Sequence, residues 1–287
     1  MNGNGNDWTL SRPVSLEAVL RPYFVSKALS DKRPYDVFHP SSWGTCVRQT
    51  AYEYYNYKNP FLVRTAQDIN PRVERIFDNG HGVHARWQKY LDDMAILRGQ
   101  WKCKGCGTIS GNGQKLGILN PAHDRGWACP CGYRYREIRS QLNEYVELEV
   151  RSDPEFNFLG HCDAVVDLTG TEFRRGKYDV FVVDFKSIND ENFGSLEKPE
   201  YKHVVQVNIY MWLLGLDAAV VLYENKSAQT LKEFFVPRNE DMIRKIQSES
   251  LALMDLLKGN RIPKRPAGMS LTKEPCRWCQ YSKFCYC

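Results

Sequence analysis

Asp163, Asp184 and Lys186 are the side chains whose types and spacing could do chemistry together. Asp184 and Lys186 stand at i and i+2 in VFVVDFKSI, so a strand there turns both to one face. Asp163 lies in a second strand-like stretch, GHCDAVVDL, and a hairpin between the two would set it beside Asp184. Two carboxylates at one point repel unless a cation sits between them. Hard oxygen ligands suit Mg²⁺ or Mn²⁺. The lysine then stands where a water attacking a phosphate can be oriented and developing charge neutralised. An Asp and a Lys two apart are common on surface strands. Here they end VFVVDF, a nearly continuous apolar run that reads as a strand buried on both faces. A charged pair is costly in that position.

The elements that must hold these residues follow from pattern. Residues 1–40 read as an irregular arm, since Pro13, Pro22 and Pro34 break any long helix. A helix is expected from Ser41 or Ser42 as N-cap, and another from Pro71 to about Leu97, with Val73, Ile76, Phe77, Val83, Trp87 and Leu91 as its apolar stripe. Strands are expected at Glu144–Val150, His161–Leu168 and Val180–Lys186. A helix at about 202–216, strands at 218–223 and 231–236, and a helix at 240–258 capped by Asn239 and ended by Gly259 complete the pattern. The fold class is α/β, a mixed central sheet flanked by helices. The divisions expected are an arm (1–40), a helical part (41–100), a small cysteine-rich insert (101–132), a core (133–260) and a cysteine-rich tail (261–287).

Composition narrows the class. The 287 residues are 43% hydrophobic and 25% charged, ordinary for a globular protein, which excludes disorder and fibrous repeats. The longest near-apolar stretch, Tyr210 to Tyr223, is interrupted by Asp217 and falls short of the roughly 18 residues a membrane span needs. The first ten residues lack a secretory signal pattern. A net charge of +5 permits a polyanionic partner.

Three further features align with the carboxylates and the lysine. Gly160-His161-Cys162-Asp163 opens one strand, His84 lies on the preceding helix, and Gln206 and Tyr210 share a face of the following helix. His81 competes with His84 for an inward position. Glu147 and Glu149 read as a solvated strand face and stay outside the metal shell. The order helical His, G-x-x-D, (D/E)-x-K, Q-x-x-x-Y resembles the PD-(D/E)xK nuclease superfamily in its RecB-like branch, over about residues 41–100 and 133–287. The resemblance implies a restriction-endonuclease-like core. It implies that His84, Asp163, Asp184 and the Phe185 carbonyl bind the catalytic Mg²⁺ or Mn²⁺, that Lys186 activates water and stabilises the transition state, and that Gln206 and Tyr210 position the site and the strand being cut.

Ten cysteines in close pairs suit metal ligation more than disulfides, and so a reducing compartment: cytoplasm, or the inside of an infected cell. Cys46 before the core, and Cys276, Cys279 and Cys285 after it, resemble the cage of the iron–sulfur subgroup of these nucleases, which includes the CRISPR-associated adaptation nuclease and AddB-type enzymes. That implies a [4Fe–4S] cluster of mainly structural role, with zinc on the same ligands as the alternative. Cys287 could replace Cys285, while Cys162 reads as a small packed residue. Cys103, Cys106, Cys129 and Cys131 resemble zinc knuckles, with His123 a possible substitute. Basic and aromatic residues around them could grip single-stranded DNA, or the ribbon could be purely structural.

The reading that follows is a Mg²⁺- or Mn²⁺-dependent DNA nuclease, an exonuclease on single-stranded ends, in recombination, repair, replication or CRISPR-type processing. It would work with a helicase or other partner proteins and without a membrane. The alternative is a catalytically silent DNA-binding or scaffold subunit.

Overall fold

The computed structural model describes residues 15–30, 33–103, 106–109, 131, 143–174, 176–273 and 275–286. Helix α1 spans Leu16–Leu29, α2 Pro40–Trp43, α3 Val47–Lys58 and α4 Pro71–Asp93. Strands β1 (Leu97–Arg98), β2 (Gln100–Cys103), β3 (Asn143–Val146), β4 (Leu148–Arg151), β5 (Leu159–Cys162), β6 (Ala164–Asp167) and β7 (Val180–Ile188) follow. Then come α5 (Asp190–Gly194), α6 (Tyr201–Leu214), β8 (Ala218–Asn225), β9 (Leu231–Pro237), α7 (Glu240–Lys258) and α8 (Ser282–Tyr286).

The central sheet has the order β1-β6-β7-β8-β9. Only β7 and β8 run parallel, and α6 lies between them in sequence as their crossover. Val182, Val183, Asp184 and Phe185 are all buried, as the unbroken apolar run requires. On one face of the sheet, Val182, Val165 and Val221 pack against Val207, Tyr210 and Met211 of α6. On the other, Val183, Phe185 and Val166 pack against Trp101, Trp87 and Leu91. Successive residues of β7 thus face different helices, which directs Asp184 and Phe185 to opposite sides.

Local signals account for the ends of these elements. Asn239 caps α7 by accepting from the Met242 N–H, and α6 ends at Gly215, whose φ of 67° is left-handed. Gly160 is needed for a different reason. A Cβ there would meet Pro40 Cγ and Cδ at 2.8 Å. Gly160→Ala should therefore push β5 off α2 and cost about 1–3 kcal/mol, read as a lower thermal midpoint; an unchanged midpoint would show that the Pro40 contact yields freely.

Four expectations are corrected. The arm holds a helix, α1, capped by Ser15 with Pro22 inside it. Burial of Phe24 and its contact with Arg75 of α4 offset the proline's lost hydrogen bond. The helix expected from Ser41 is two, broken at Gly44 and Thr45, with Cys46 as N-cap of α3. Val73, Ile76 and Phe77 are exposed, so the inward stripe of α4 begins at Val83. The strands expected at 144–150 and 161–168 are each broken once, at Glu147 and at Asp163, and the chain changes sheets at both breaks.

Candidate active site

Those two breaks create the site. A residue between two strands is free of ladder pairing, so its side chain can leave the alternation of the pleat. Glu147 and Asp163 both turn toward α4. There His84, Glu147 and Asp163 place ligand atoms within 4.8 Å of one another. His84 Nδ1 is 3.6 Å from Asp163 Oδ1 and 3.9 Å from Glu147 Oε1. His81 is exposed, which settles the choice between the two histidines.

Helix α4 presents His84, Trp87 and Gln88 on one face, at i, i+3 and i+4. Gln88 Nε2 donates to Glu147 Oε1 (3.2 Å) and to the Asp163 carbonyl (2.9 Å). Trp87 Nε1 donates to Glu224 Oε2 at 2.7 Å, and Arg86 pairs with the other oxygen of this buried carboxylate. Glu224 thus pins α4 to β8 and sets the height of His84. The Tyr145 hydroxyl also donates to the Asp163 carbonyl, at 3.3 Å.

Asp163 Oδ2 accepts from the Phe185 N–H at 2.8 Å, which locks it across β7 beside Asp184. Burial, and then the charge of Asp184, push the Asp163 carboxyl up to about 7. Burial raises Asp184 as well, against the pull of Lys186. Lys186 Nζ lies 3.0 Å from Asp184 Oδ1 and 3.2 Å from Gln206 Oε1. Burial alone would lower its pKa, but Asp184 and Asp163 outweigh it, so Lys186 stays an ammonium. Burial likewise works against a charged His84, yet contact with Glu147 and the charge of Asp163 hold its pKa above the ordinary value. The chain of contacts continues from Gln206 Nε2 to Tyr210 Oη (3.3 Å), and the Tyr210 hydroxyl donates to the His161 carbonyl (2.7 Å).

The residues fit a divalent cation. Asp184 Oδ2 is buried with no hydrogen-bond donor, 2.8 Å from Lys186 Nζ but out of line for a bond. Burial and the charge of Asp184 outweigh His84 and Lys186 at Asp163, which keeps its proton to near neutrality until a further positive charge arrives. One imidazole and two carboxylates converge, a donor set suited to Mn²⁺ or Mg²⁺.

Sequence reasoning placed His84, Asp163, Asp184, Lys186, Gln206 and Tyr210, and the structure brings them together. Glu147, expected on a solvated face, joins them. Glu149 is exposed as expected, but the break turns Glu147 inward. A glutamate upstream of G-x-x-D was the available signal. Gln88, Tyr145 and Glu224 left none.

Helix α6 also carries His203. Its Nδ1 is 2.7 Å from the Tyr223 hydroxyl, which itself accepts the Glu200 N–H, so that hydroxyl donates to a neutral ring. Burial, then the charges of Lys186 and Lys202, push His203 down to about 2. The unfolded ring takes a proton below about 6.5 and the folded one does not. The contribution of His203 to stability is therefore full above about 6.5 and is lost as the pH drops from there toward 2. Between pH 6.5 and 5 the loss should reach at most about 2 kcal/mol. Urea unfolding of wild type and His203→Phe at both pH values checks this, since the variant should gain stability relative to wild type on going from pH 6.5 to 5.

The cysteines form two groups. Cys103, Cys106 and Cys131 have sulfurs within 4.8 Å of one another, with 3.7 Å between Cys103 and Cys131. Cys129 lies outside the described residues. Cys46, Cys276, Cys279 and Cys285 line a second pocket, closed by Arg48, Tyr52, Tyr281 and Tyr286. Arg48 Nε donates to Cys285 Sγ at 3.1 Å, and the guanidinium also reaches the Pro263 carbonyl and the Tyr52 hydroxyl. Cys162 is buried and donates to the Ala164 carbonyl, the behaviour of a packed residue.

A mixed sheet that gathers a helical histidine, paired acids and a buried ammonium at one site is an arrangement that could hold a divalent cation beside a positively charged group. The family model of the PD-(D/E)XK nuclease superfamily matches residues 121–286, more than half of the chain, and the chain belongs to that superfamily. The crystal structure of SSO0001 is similar at a TM-score of 0.48 and 13% identity, over 95% of this chain and 97% of that one. The alkaline exonuclease LHK-Exo of Laribacter hongkongensis, in complex with dAMP, is similar at 0.41 and 10%, over 83% and 93%. Likenesses of this size do not carry an activity from one chain to another. No curated protein matches the sequence. Among the described residues no helix is long and apolar enough to cross a membrane.

Proposed function

We propose that this chain is a Mg²⁺- or Mn²⁺-dependent deoxyribonuclease that acts on free, single-stranded DNA ends. The carrying observation is the convergence of His84, Glu147 and Asp163 beside Asp184 and the buried ammonium of Lys186. His84, Asp163, Asp184 and the Phe185 carbonyl would hold the ion, with Glu147 added to that set. The ion supplies a Lewis acid for phosphate oxygen and water. Lys186, aimed by Asp184 and Gln206, brings positive charge to the phosphate as charge develops there. Tyr210 holds Gln206 against β5.

The two cysteine groups support different metals. A zinc–sulfur bond of about 2.3 Å sets tetrahedral sulfurs about 3.8 Å apart, which suits Cys103, Cys106 and Cys131, with Cys129 as the fourth ligand. No three sulfurs of Cys46, Cys276, Cys279 and Cys285 come within 4.8 Å of one another. Four thiolates spread around one pocket suit the corners of a [4Fe–4S] cube better. The cluster would join α3 to the C-terminal tail and the ribbon would stand as a separate insert. Cysteines held as metal ligands would call for a reducing, cytoplasmic setting in a host or infected cell, and no disulfide joins the described cysteines. The partner would be a helicase or another protein of recombination, replication or CRISPR-type processing.

The test incubates wild type and Lys186→Ala with end-labelled single- and double-stranded DNA plus Mn²⁺, Mg²⁺ or EDTA. Metal-dependent cleavage that the variant loses by about 10²-fold or more supports the reading. DNA binding without cleavage by metal-loaded wild type would replace it with a silent scaffold.

A further inference from the structure

The cleft beside Lys186 holds more positive charge than the proposed reaction uses. Its volume is about 590 Å³, and it lies where β7 and β8 end and α6 begins. Two of its cations are committed, Lys186 to Asp184 and Gln206, and Lys202 to Glu200 at 2.9 Å. Two are not. Arg72, in the first turn of α4, and Lys226, just past β8, line the same cleft with no acidic partner among the described residues. Ser187, next to Lys186 in β7, lines it too, and its buried Oγ has no hydrogen-bond partner. The α6 N-terminus adds partial positive charge, and its N-cap side chain, Glu200, makes no capping bond.

We infer that this cleft binds the sugar–phosphate backbone of the nucleic-acid strand next to the bond that is cut. The inference rests on the nuclease reading and names where its substrate lies. Two uncommitted cations and an orphaned hydroxyl donor call for an anionic ligand rich in acceptors. The volume is in the range that takes a nucleotide unit rather than a lone small anion. The cleft shares Lys186 with the proposed site, so a strand lying in it reaches the side chain that contacts Asp184. None of Arg72, Ser187 and Lys226 belongs to the motifs that carry the resemblance. They are backbone-positioning residues and should act on binding, without base preference.

The test uses the full chain loaded with Mn²⁺ and a labelled single-stranded oligonucleotide, with Arg72→Ala/Lys226→Ala and Ser187→Ala as variants. The double variant should raise KM about tenfold and leave kcat within about twofold. Two lost phosphate contacts at about 0.7 each should reduce the slope of log(1/KM) against log salt by about 1.4. Ser187→Ala should raise KM less and leave the salt slope alone. Charge reversal in Lys226→Glu should raise KM beyond the alanine value. An unchanged KM and salt slope overturns the inference, and so does a fall in kcat with KM unchanged. Wild type that neither binds nor cleaves DNA defeats the nuclease reading itself; cleaving wild type with an indifferent double variant defeats only the cleft assignment.

Discussion

Asp163→Asn is expected to lower metal-dependent cleavage by about 10²–10³-fold while making the metal-free protein more stable. The two effects share a cause. Asp163 is buried beside Asp184, and its carboxyl titrates near 7 in the fold against 3.8 in its ordinary state. A folded-state pKa above the unfolded one means that the fold holds the proton more tightly. Asp163 therefore takes stability from the metal-free protein as the pH rises from about 4 to about 7, and its share of the loss is complete above that. Each pKa unit of difference is worth about 1.4 kcal/mol, so the penalty amounts to a few kcal/mol, shared with Asp184. Asparagine keeps an oxygen to accept the Phe185 N–H and carries no charge. Urea unfolding at pH 8 in EDTA should give a higher midpoint for the variant, and Mn²⁺ should stabilise wild type more than the variant. If the variant lost stability along with activity, Asp163 would be a structural strut, and the case for a metal held there would fail.

The second large effect is expected at the other end of the chain. Cys276→Ala should empty the pocket shared by Cys46, Cys276, Cys279 and Cys285 and cost several kcal/mol of stability. Metal binding to a site that the unfolded chain lacks adds directly to the free energy of folding. The pocket also joins residues far apart in sequence, so its loss frees a long loop. Without the cage, α8 keeps only side contacts such as the Tyr52 hydroxyl to the Phe284 carbonyl at 3.0 Å. Anaerobically purified wild type should be brown, with iron, labile sulfide and broad absorption at about 400 nm. The variant should lose iron, colour and thermal midpoint together, while zinc content, proposed for the Cys103 group, should be the same in both proteins. Zinc in the four-cysteine pocket of wild type would overturn the cluster assignment; unchanged metal content and midpoint in Cys276→Ala would remove Cys276 from the cage.

Much of this molecule is legible in its residues because the signals are local. The apolar run around Asp184 requires a buried strand, and i, i+2 spacing on that strand puts Lys186 beside it. One turn of helix joins Gln206 to Tyr210. Asn239 and Gly259 bound α7 through hydrogen bonds a few residues long. The order of His84, Asp163, Asp184, Lys186, Gln206 and Tyr210 is enough to name the superfamily. The tertiary structure decided the rest. Glu147 alternates with apolar neighbours like any solvated residue, and only the passage of the chain from one sheet to another turns it toward His84. The same change of sheet at Asp163 makes a site out of what reads as one continuous strand. Pro22 forbids a helix by local rules, and packing of α1 on α4 overrides them. His84 and His81 are equivalent until Glu224 anchors Trp87 and fixes the rotation of α4. Periodicity reports which face of an element is apolar. It carries no information on where an element is interrupted to meet another, because that is set by contacts between residues far apart in the chain.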